Sequence, residues 1–135
     1  MKKPVWIPRD VILATQEELL ARFGGLAGVR DEGLLDSALA RPQNLFAYEK
    51  PTLYELAAQY AVGIVKNHPF LDGNKRAGFM ASYIFLGING VDLNATEEDA
   101  VLQTLALAAG EIDAAGYAAW LKSVCKRRRA RAGSH

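Results

Sequence analysis

The sequence predicts an all-α fold, a compact bundle of about six helices around a central buried helix. Capping and helix-stopping residues divide the 135-residue chain into helical segments, and the third of these has apolar residues at the three- and four-residue spacing of a helix. No long alternation of apolar and polar residues indicates a sheet. Half of the residues are hydrophobic and 23% are charged, a balance that supports one ordinary globular core.

The first two helices are predicted from their boundary residues. Asp10 is placed to cap a helix that runs through Arg22 and stops at the glycine pair 24–25. Asp31 is placed to open the second helix, which we expect to end before Pro42, because proline disfavours helical geometry in the residue that precedes it.

The third helix has the clearest periodicity in the chain. Thr52 and Glu55 have the spacing of a capping box at its start. Pro69 biases His68 away from helical geometry, so the helix is predicted to end near residues 66–67. Its apolar stripe consists of Leu53, Leu56, Ala57, Tyr60, Ala61, Ile64 and Val65.

Three more helices are predicted downstream. Residues 75–91, KRAGFMASYIFLGINGV, are apolar on nearly every side, as expected for the central buried helix, and Asn89–Gly90 closes it. The fifth helix is predicted from a cap at Thr96 through Ala109. The sixth is predicted from about Asp113 into the basic end of the chain.

The charge distribution divides the chain into one globular domain, residues 1–125, and a basic tail, residues 126–135. The formal net charge is +1, but five cations and no acids lie in that tail. Without those five, the rest of the chain has 11 basic and 15 acidic residues and is therefore net negative. A net-negative domain argues against direct nucleic-acid binding. The tail composition is typical of a solvated or disordered end, and residues 133–135 resemble a cloning remnant.

Cysteine content and hydropathy predict a cytoplasmic protein. Cys125 is the one cysteine, so the chain can form neither an internal disulfide nor a cysteine-based zinc site. No apolar run reaches the roughly 18 residues that span a bilayer. Residues 8–10, Pro-Arg-Asp, interrupt any signal-type apolar core near the start.

The polar stretch NHPFLDGNKR, residues 67–76, joins the third and fourth helices. Gly73 and Asn74 lie where the fourth helix begins, and the free N–H groups of a helix start favour a phosphate. Lys75 and Arg76 follow in the first turn, where the helix dipole disfavours cations unless a bound anion compensates them.

Two further side chains of this stretch suit phosphoryl transfer. Asp72 is a hard oxygen ligand suited to Mg²⁺ held jointly with phosphate oxygens, and the His68 imidazole can accept a proton from an attacking hydroxyl as a general base. Phe70 is expected to anchor the loop in the core. Each of these residues also has a purely structural interpretation. The histidine could bond the last carbonyls of the third helix, Asp72 could be the N-cap of the fourth, and the two cations could be surface residues of its first turn.

The motif HPFLDGNKR, residues 68–76, resembles the signature of the Fic/Doc superfamily, H-x-F-x-D/E-G/A-N followed by K or G and then R. Residues 24–48 (GGLAGVRDEGLLDSALARPQNLFAY) and 81–93 (ASYIFLGINGVDL) extend the resemblance, which is closest to the Doc branch, the death-on-curing toxins of bacterial toxin–antitoxin pairs. It covers roughly residues 6–122.

The resemblance implies an all-helical enzyme that transfers part of ATP to a protein hydroxyl. Fic enzymes that transfer AMP have glycine at the position of Lys75 and a second arginine at the position of Phe79. Doc toxins share the lysine, so the resemblance implies a kinase that transfers the terminal phosphate. AMP transfer is the alternative, and an inactive partner-binding module is a second one.

The resemblance also implies site roles, cofactors and partners. ATP and Mg²⁺ are the implied cofactors, and the implied target is a threonine of elongation factor Tu, whose modification arrests translation. Residues 44–52 correspond to a flap that aligns the target, with Phe46 and Tyr48 either in that role or as core cover. The motif roles are His68 as base, Asp72 as metal ligand, Gly73 and Asn74 as anion hole, and Lys75 and Arg76 as phosphate ligands.

Restraint of such a toxin is expected from a separate protein. Some Fic proteins carry an inhibitory S/T-x-x-x-E-G/N helix, but here Glu32–Gly33 is preceded by Gly28 where serine or threonine is required. The resemblance therefore implies a Phd-like antitoxin whose C-terminal segment docks as a helix near the site.

Overall fold

The computed structural model describes residues 3–128, which form six α-helices and one two-stranded antiparallel sheet. This confirms the predicted all-α class with six helices. The elements are α1 (Arg9–Phe23), α2 (Glu32–Tyr48), α3 (Leu53–Asn67), α4 (Asn74–Ile88), β1 (Val91–Leu93), α5 (Glu97–Ala108), α6 (Ala114–Ser123) and β2 (Cys125–Arg127).

The central helix of the bundle is α3. It packs against α2, α4, α5 and α6, and ten of its fifteen residues are buried. Between α3 and α4, the Ser82 hydroxyl donates to the Ala57 carbonyl over 2.6 Å. The predicted central helix, α4, is less buried, because its Lys75, Arg76 and Tyr83 are exposed. Its apolar surface is divided between the core and an open groove.

Most predicted helix ends agree with the structure. Thr52 and Glu55 form the capping box of α3, and Asp31, Thr96 and Asp113 each accept a backbone N–H at the start of α2, α5 and α6. The first cap is different, because Pro8 occupies the N-cap position of α1. Asp10 lies in the first turn of that helix, where an acid suits the positive end of the dipole.

Pro42 does not end α2, contrary to the prediction. The helix continues to Tyr48, with Pro42 buried inside it. Proline cannot donate to the carbonyl four residues earlier, which belongs to Ala38. That turn of α2 lies directly on Gly63 of α3: a Cβ at Gly63 would be 2.9 Å from the Ala38 carbonyl oxygen. Tertiary packing of the continued helix against α3 outweighs the lost bond.

The small sheet and the end of α6 were not predicted. Val91 pairs with Arg127 and Leu93 with Cys125, and Arg128 forms an ion pair with Asp92 at 3.3 Å. Strands of three residues are too short to show a sequence period. The first residues of the basic tail are thus ordered in β2, and the rest of the tail, residues 129–135, lies outside the described residues. None of the described helices combines the length and apolar character that crossing a bilayer requires.

Candidate active site

The candidate site is the loop between α3 and α4, residues 68–73. His68 is the C-cap of α3 and adopts the left-handed conformation, with φ 51° and ψ 54°. Within residues 3–128 it is the one non-glycine residue with positive φ. Such a conformation costs on the order of 1–3 kcal/mol, so surrounding contacts must hold it. The exposed His68 side chain is therefore presented by a strained backbone.

Asn74 ties the loop together from the first residue of α4. Its buried side chain accepts the Phe70 N–H at Oδ1 and donates to the Phe70 carbonyl from Nδ2, both over 3.0 Å. The same Nδ2 lies 3.2 Å from Nδ1 of His68. Phe70 itself is 1% exposed and belongs to the hydrophobic core.

These contacts also orient the imidazole of His68. Because the Phe70 N–H requires an acceptor, Oδ1 and Nδ2 of Asn74 cannot be exchanged. Nδ2 then directs its second hydrogen towards Nδ1 of His68. This geometry predicts that Nδ1 is the acceptor and that the neutral ring carries its proton on Nε2.

The segment that precedes α2 supports the loop from the outside. The Leu71 N–H donates to the Gly28 carbonyl over 3.1 Å, and Val29 forms an isolated antiparallel bridge with Phe70. The Arg30 N–H donates to the Pro69 carbonyl over 2.6 Å. A short strand-like pairing between two distant loops therefore gives the site its shape.

The Arg30 side chain reaches the end of α3 and was not singled out from the sequence. Its Nε donates to the His68 carbonyl over 2.7 Å, and Nη2 donates to the Asn67 carbonyl over 2.9 Å. A helix end needs partners for its last carbonyls. Nothing in the local sequence indicates that an arginine 38 residues earlier supplies them.

Asp72 faces solvent and is held by backbone groups. One carboxylate oxygen accepts the Gly73 N–H over 2.9 Å and the other accepts the Leu26 N–H over 3.3 Å. Gly25 makes room for it, since a Cβ there would lie 2.8 Å from Oδ2. Asp72 is not the N-cap of α4, because Gly73 occupies that position. Each carboxylate oxygen keeps a lone pair for a further ligand.

Gln16 of α1 supports the Asp72 backbone from below and was also not predicted. Its buried Nε2 donates to the Asp72 carbonyl over 2.6 Å, while its Oε1 has no partner among the described residues. A Cβ at Gly73 would lie 3.2 Å from this Nε2. This close approach and the positive φ of Gly73 together disfavour a side chain at position 73.

The start of α4 is open to an anion. Its N-cap, Gly73, has φ 74° and provides no side-chain cap, and no acid lies in the first turn. Lys75 and Arg76 are both exposed there. The Arg76 guanidinium carbon lies 4.3 Å above the centre of the Phe23 ring, a cation–π contact that orients it. Free N–H groups, the helix dipole and two cations together favour a phosphate.

The same two cations line a groove of about 1060 Å³ between α1, α4 and α5. Its walls are mostly apolar, and several of the apolar side chains are substantially exposed: Leu102 (65%), Val101 (56%), Phe23 (47%), Tyr83 (46%) and Leu105 (46%). Contiguous exposed apolar surface of this kind indicates a binding surface.

The metal-binding capacity of the site is limited to Asp72. Among residues 3–128 no group of three or more histidine, cysteine or acidic side chains is arranged to hold a metal. One carboxylate is enough for Mg²⁺ when substrate phosphates supply further oxygens. The donor set fits a Mg²⁺ ion that is bound together with a nucleotide and does not fit a resident metal.

The predicted flap, residues 44–52, comprises the last turns of α2 and the link to α3. Phe46 packs edge-on against Trp6, with ring centres 5.7 Å apart, and so covers the core. Tyr48 is 88% exposed and, with Asn44, borders a shallow hollow of about 410 Å³. Of the two aromatic residues, Tyr48 is the one available to a partner.

Comparison with known proteins agrees with these features. A family model described as Fic/DOC family matches residues 6–86, from the N-terminal segment to the end of α4. The chain is 35% identical over 117 residues to "Protein kinase doc" of Escherichia phage P1, covering 86% of this chain and 92% of that protein. It is 48% identical over 77 residues to "Toxin Doc" of Mycolicibacterium smegmatis, covering 54% of this chain and 58% of that protein.

Proposed function

Because the chain belongs to the Fic/DOC family, we propose that it is a Doc-type toxin of a bacterial toxin–antitoxin pair that acts as a protein kinase. Its substrates are Mg²⁺-bound ATP and a threonine of a translation factor, elongation factor Tu by family resemblance. Phosphorylation of that factor in the cytoplasm arrests translation.

One observation carries the proposal: the uncapped start of α4, with Lys75 and Arg76 exposed, lies directly after the loop that presents His68 and Asp72. Nine consecutive residues thus contain a helix start suited to an anion, two cations, a carboxylate and an imidazole. These are the groups that phosphoryl transfer requires.

The proposed reaction is an in-line transfer to a hydroxyl. The threonine oxygen attacks the γ-phosphorus of ATP, the bond from this phosphorus to the bridging oxygen breaks, and ADP leaves while His68 takes the hydroxyl proton. Lys75, Arg76 and the N–H groups of α4 stabilise the charge on the phosphate oxygens. Asp72 would hold a Mg²⁺ ion bound together with the nucleotide, and that ion would neutralise further charge on the phosphates.

The His68 ring must change its contacts to act as the base. In the free protein its unprotonated nitrogen, Nδ1, faces the Asn74 amide. Because the ring is exposed, we expect it to turn from Asn74 and present Nδ1 to the hydroxyl when substrate binds, or to exchange its proton so that Nε2 becomes the acceptor.

Transfer of phosphate is favoured over transfer of AMP by the residues beyond the motif. Lys75 occupies the position at which AMP-transferring relatives have glycine. Phe79, at the position of their second arginine, packs against Tyr83 and Trp120 with ring centres 6.5 and 6.2 Å apart. An aromatic cluster replaces the additional cation that would bind the remaining phosphates of the nucleotide.

The test uses ATP labelled at either the γ- or the α-phosphate, with purified elongation factor Tu and a bacterial lysate as acceptors. The proposal expects label from the γ-position alone, and His68→Ala should lower labelling by about 10²–10⁴-fold and relieve growth arrest. Label from the α-position would establish AMP transfer instead. Absence of any label, with growth arrest retained by His68→Ala, would refute enzymatic action.

We also propose that the apolar groove between α1, α4 and α5 binds a helix of a separate, Phd-like antitoxin. The groove includes Lys75 and Arg76, so an occupant covers the cations that bind the nucleotide phosphates. Exposed Leu102 and Leu105 of α5 suit the apolar face of such a helix.

Leu102→Glu should weaken antitoxin binding by about tenfold or more while the variant still labels its target, because a charge would then lie within an apolar contact. Val5→Glu is the matched control, since Val5 is 56% exposed and lies outside the groove. Titration calorimetry measures the affinity of both variants for the antitoxin. Unchanged affinity in Leu102→Glu would exclude this groove as the antitoxin site.

A further inference from the structure

We propose that Arg30 is a positioning residue that holds His68 in its left-handed conformation from outside the 68–76 motif. The proposal rests on the proposed function, because it assigns Arg30 to the placement of the base in phosphoryl transfer. It concerns a side chain that belongs to the loop before α2 and touches none of the reacting groups.

The contacts of Arg30 converge on three successive carbonyls. Its Nε and Nη2 donate to His68 and Asn67 over 2.7 and 2.9 Å, and its backbone N–H donates to Pro69 over 2.6 Å. The Asp31 N–H adds a second bond to the Pro69 carbonyl over 3.2 Å. The turn from α3 into the catalytic loop is therefore held by hydrogen bonds from one short segment, residues 30–31.

Arginine suits this position for two reasons. Its planar guanidinium can donate to two adjacent carbonyls in a fixed geometry, which the single ammonium of lysine cannot reproduce. Its positive charge also lies at the C-terminal end of α3, where the dipole is negative. Both effects favour the backbone geometry that places the His68 side chain in solvent.

Arg30 is itself fixed by the start of α2. The next residue, Asp31, caps α2 by accepting the Leu34 N–H over 2.9 Å. The Asn67 side chain donates to the Leu34 carbonyl over 3.0 Å, which ties the end of α3 to the same turn. The position of the His68 backbone thus depends on α2, while its ring is oriented by Asn74 of α4.

Because Arg30 holds the His68 backbone and does not contact the nucleotide-binding residues, its loss predicts a specific kinetic effect. Loss of the Arg30 side chain leaves Asp72, Lys75 and Arg76 in place, so the KM for ATP should stay close to the wild-type value. The base is displaced, and a displacement of about 1 Å can lower the rate of a positioned reaction by about 10²-fold. We therefore expect Arg30→Ala to lower kcat by about 10²-fold and Arg30→Lys to show an intermediate loss.

The experiment compares four proteins by γ-phosphate labelling: wild type, Arg30→Ala, Arg30→Lys and the control Arg9→Ala. Arg9 also bonds two groups near the start of α2, Glu32 and Asp36, but none in the loop, so its loss should leave kcat unchanged. Free guanidinium ion, added at concentrations below those that unfold the protein, should restore part of the kcat of Arg30→Ala and none of that of His68→Ala.

An independent measurement reports on His68 without any activity. The ¹H–¹⁵N heteronuclear NOE of the His68 amide should fall in Arg30→Ala and stay at the wild-type value in Arg9→Ala. If wild type labels no target, the proposed function fails, and this NOE alone decides the role of Arg30. If Arg30→Ala unfolds, as judged by circular dichroism, Arg30→Lys carries the same comparison.

The proposal is overturned by wild-type kcat in a folded Arg30 variant, by a loss confined to the KM for ATP, or by an unchanged His68 NOE. A reduced kcat together with guanidinium rescue and a lowered NOE supports it.

Discussion

His68 is held at two points by two different parts of the chain, its backbone by Arg30 and its ring by Asn74. A left-handed histidine is unfavourable by itself, and contacts from the surrounding structure must offset its cost. The ring contact has a chemical consequence, because it selects one of the two neutral tautomers.

At a pH where the imidazole is neutral, we predict that the free protein carries the His68 ring proton on Nε2. Long-range ¹H–¹⁵N correlation of the ring distinguishes the two nitrogens. Asn74→Ala should remove the preference, because the donor to Nδ1 is lost. The chain has one other histidine, His135, and a His68→Ala spectrum identifies its signals. A wild-type ring protonated on Nδ1 would contradict the assigned Asn74 geometry.

Asp72→Asn should raise the Mg²⁺ concentration for half-maximal labelling by at least about tenfold, since an amide is a weaker ligand than a carboxylate. Stability should change little, because Asp72 is exposed and an amide oxygen can still accept the Gly73 N–H. Magnesium titration of the labelling rate measures the effect, with Asp10→Asn in α1 as control. An unchanged Mg²⁺ requirement would remove Asp72 from the metal site.

At the scale of elements, α2 and α4 both depart from what their sequences predict. Pro42 lies within α2 because the helix packs closely against α3, where the Ala38 backbone lies on Gly63. The apolar positions of α4 do not all enter the core, because one side of that helix forms the groove wall with Phe79, Met80 and Ile84. Periodicity alone does not distinguish a core side chain from one that lines a binding groove.

Gly63→Ala should lower the free energy of unfolding by roughly 1–3 kcal/mol, the usual cost of overpacking. The added Cβ would lie 2.9 Å from the Ala38 Cα and carbonyl oxygen, and these backbone atoms cannot move without moving α2. Urea unfolding measures the change. Gly87→Ala is the matched control in α4: no atom lies within 4 Å of its Cβ, and it should stabilise by roughly 0.4–1 kcal/mol. Equal effects at both positions would contradict the close α2–α3 contact.

At the scale of the whole molecule, buried tyrosine hydroxyls connect distant segments of the chain. Tyr60 accepts the Ile7 N–H over 3.1 Å, and Tyr117 shares a 2.8 Å hydrogen bond with Thr104 between α5 and α6. Burial raises the pKa of Tyr117 from 10.0 to about 12. Because the neutral form is favoured in the folded state, the associated stability is present below pH 10 and is lost as the pH rises towards 12.

The free energy of unfolding should therefore fall above about pH 10, with Tyr117 contributing about 2–3 kcal/mol over its full window. Burial also raises the pKa of Cys125, to about 11, so the comparison is made in a Cys125→Ser background. Tyr117→Phe with Thr104→Val removes both partners of the hydrogen bond and should flatten the decline in the free energy of unfolding, measured by urea unfolding between about pH 10 and 12. A decline as steep as that of the parent would show that Tyr117 is not the group responsible.

Much of the candidate site could be predicted because its groups are contiguous in the chain. The boundaries of α3 and α4, set by Pro69 and Gly73, place His68, Asp72 and the two cations at one helix junction. These are local effects: proline geometry, capping and the free N–H groups of a helix start depend on a few neighbouring residues. The all-α class followed likewise from local signals, namely capping and helix-stopping residues and the apolar stripe of α3.

Arg30 and Gln16 could not be predicted, because each acts on the loop from more than 35 residues away in the chain. The central position of α3, the continuation of α2 through Pro42 and the pairing of β1 with β2 also depend on neighbours in space. Amino-acid types and local geometry thus determined which groups the site contains. They also determined that these groups lie where α3 ends and α4 begins. Packing among distant segments decided which backbone atoms hold those groups and which apolar faces remain open, because buried contact area outweighs local propensity.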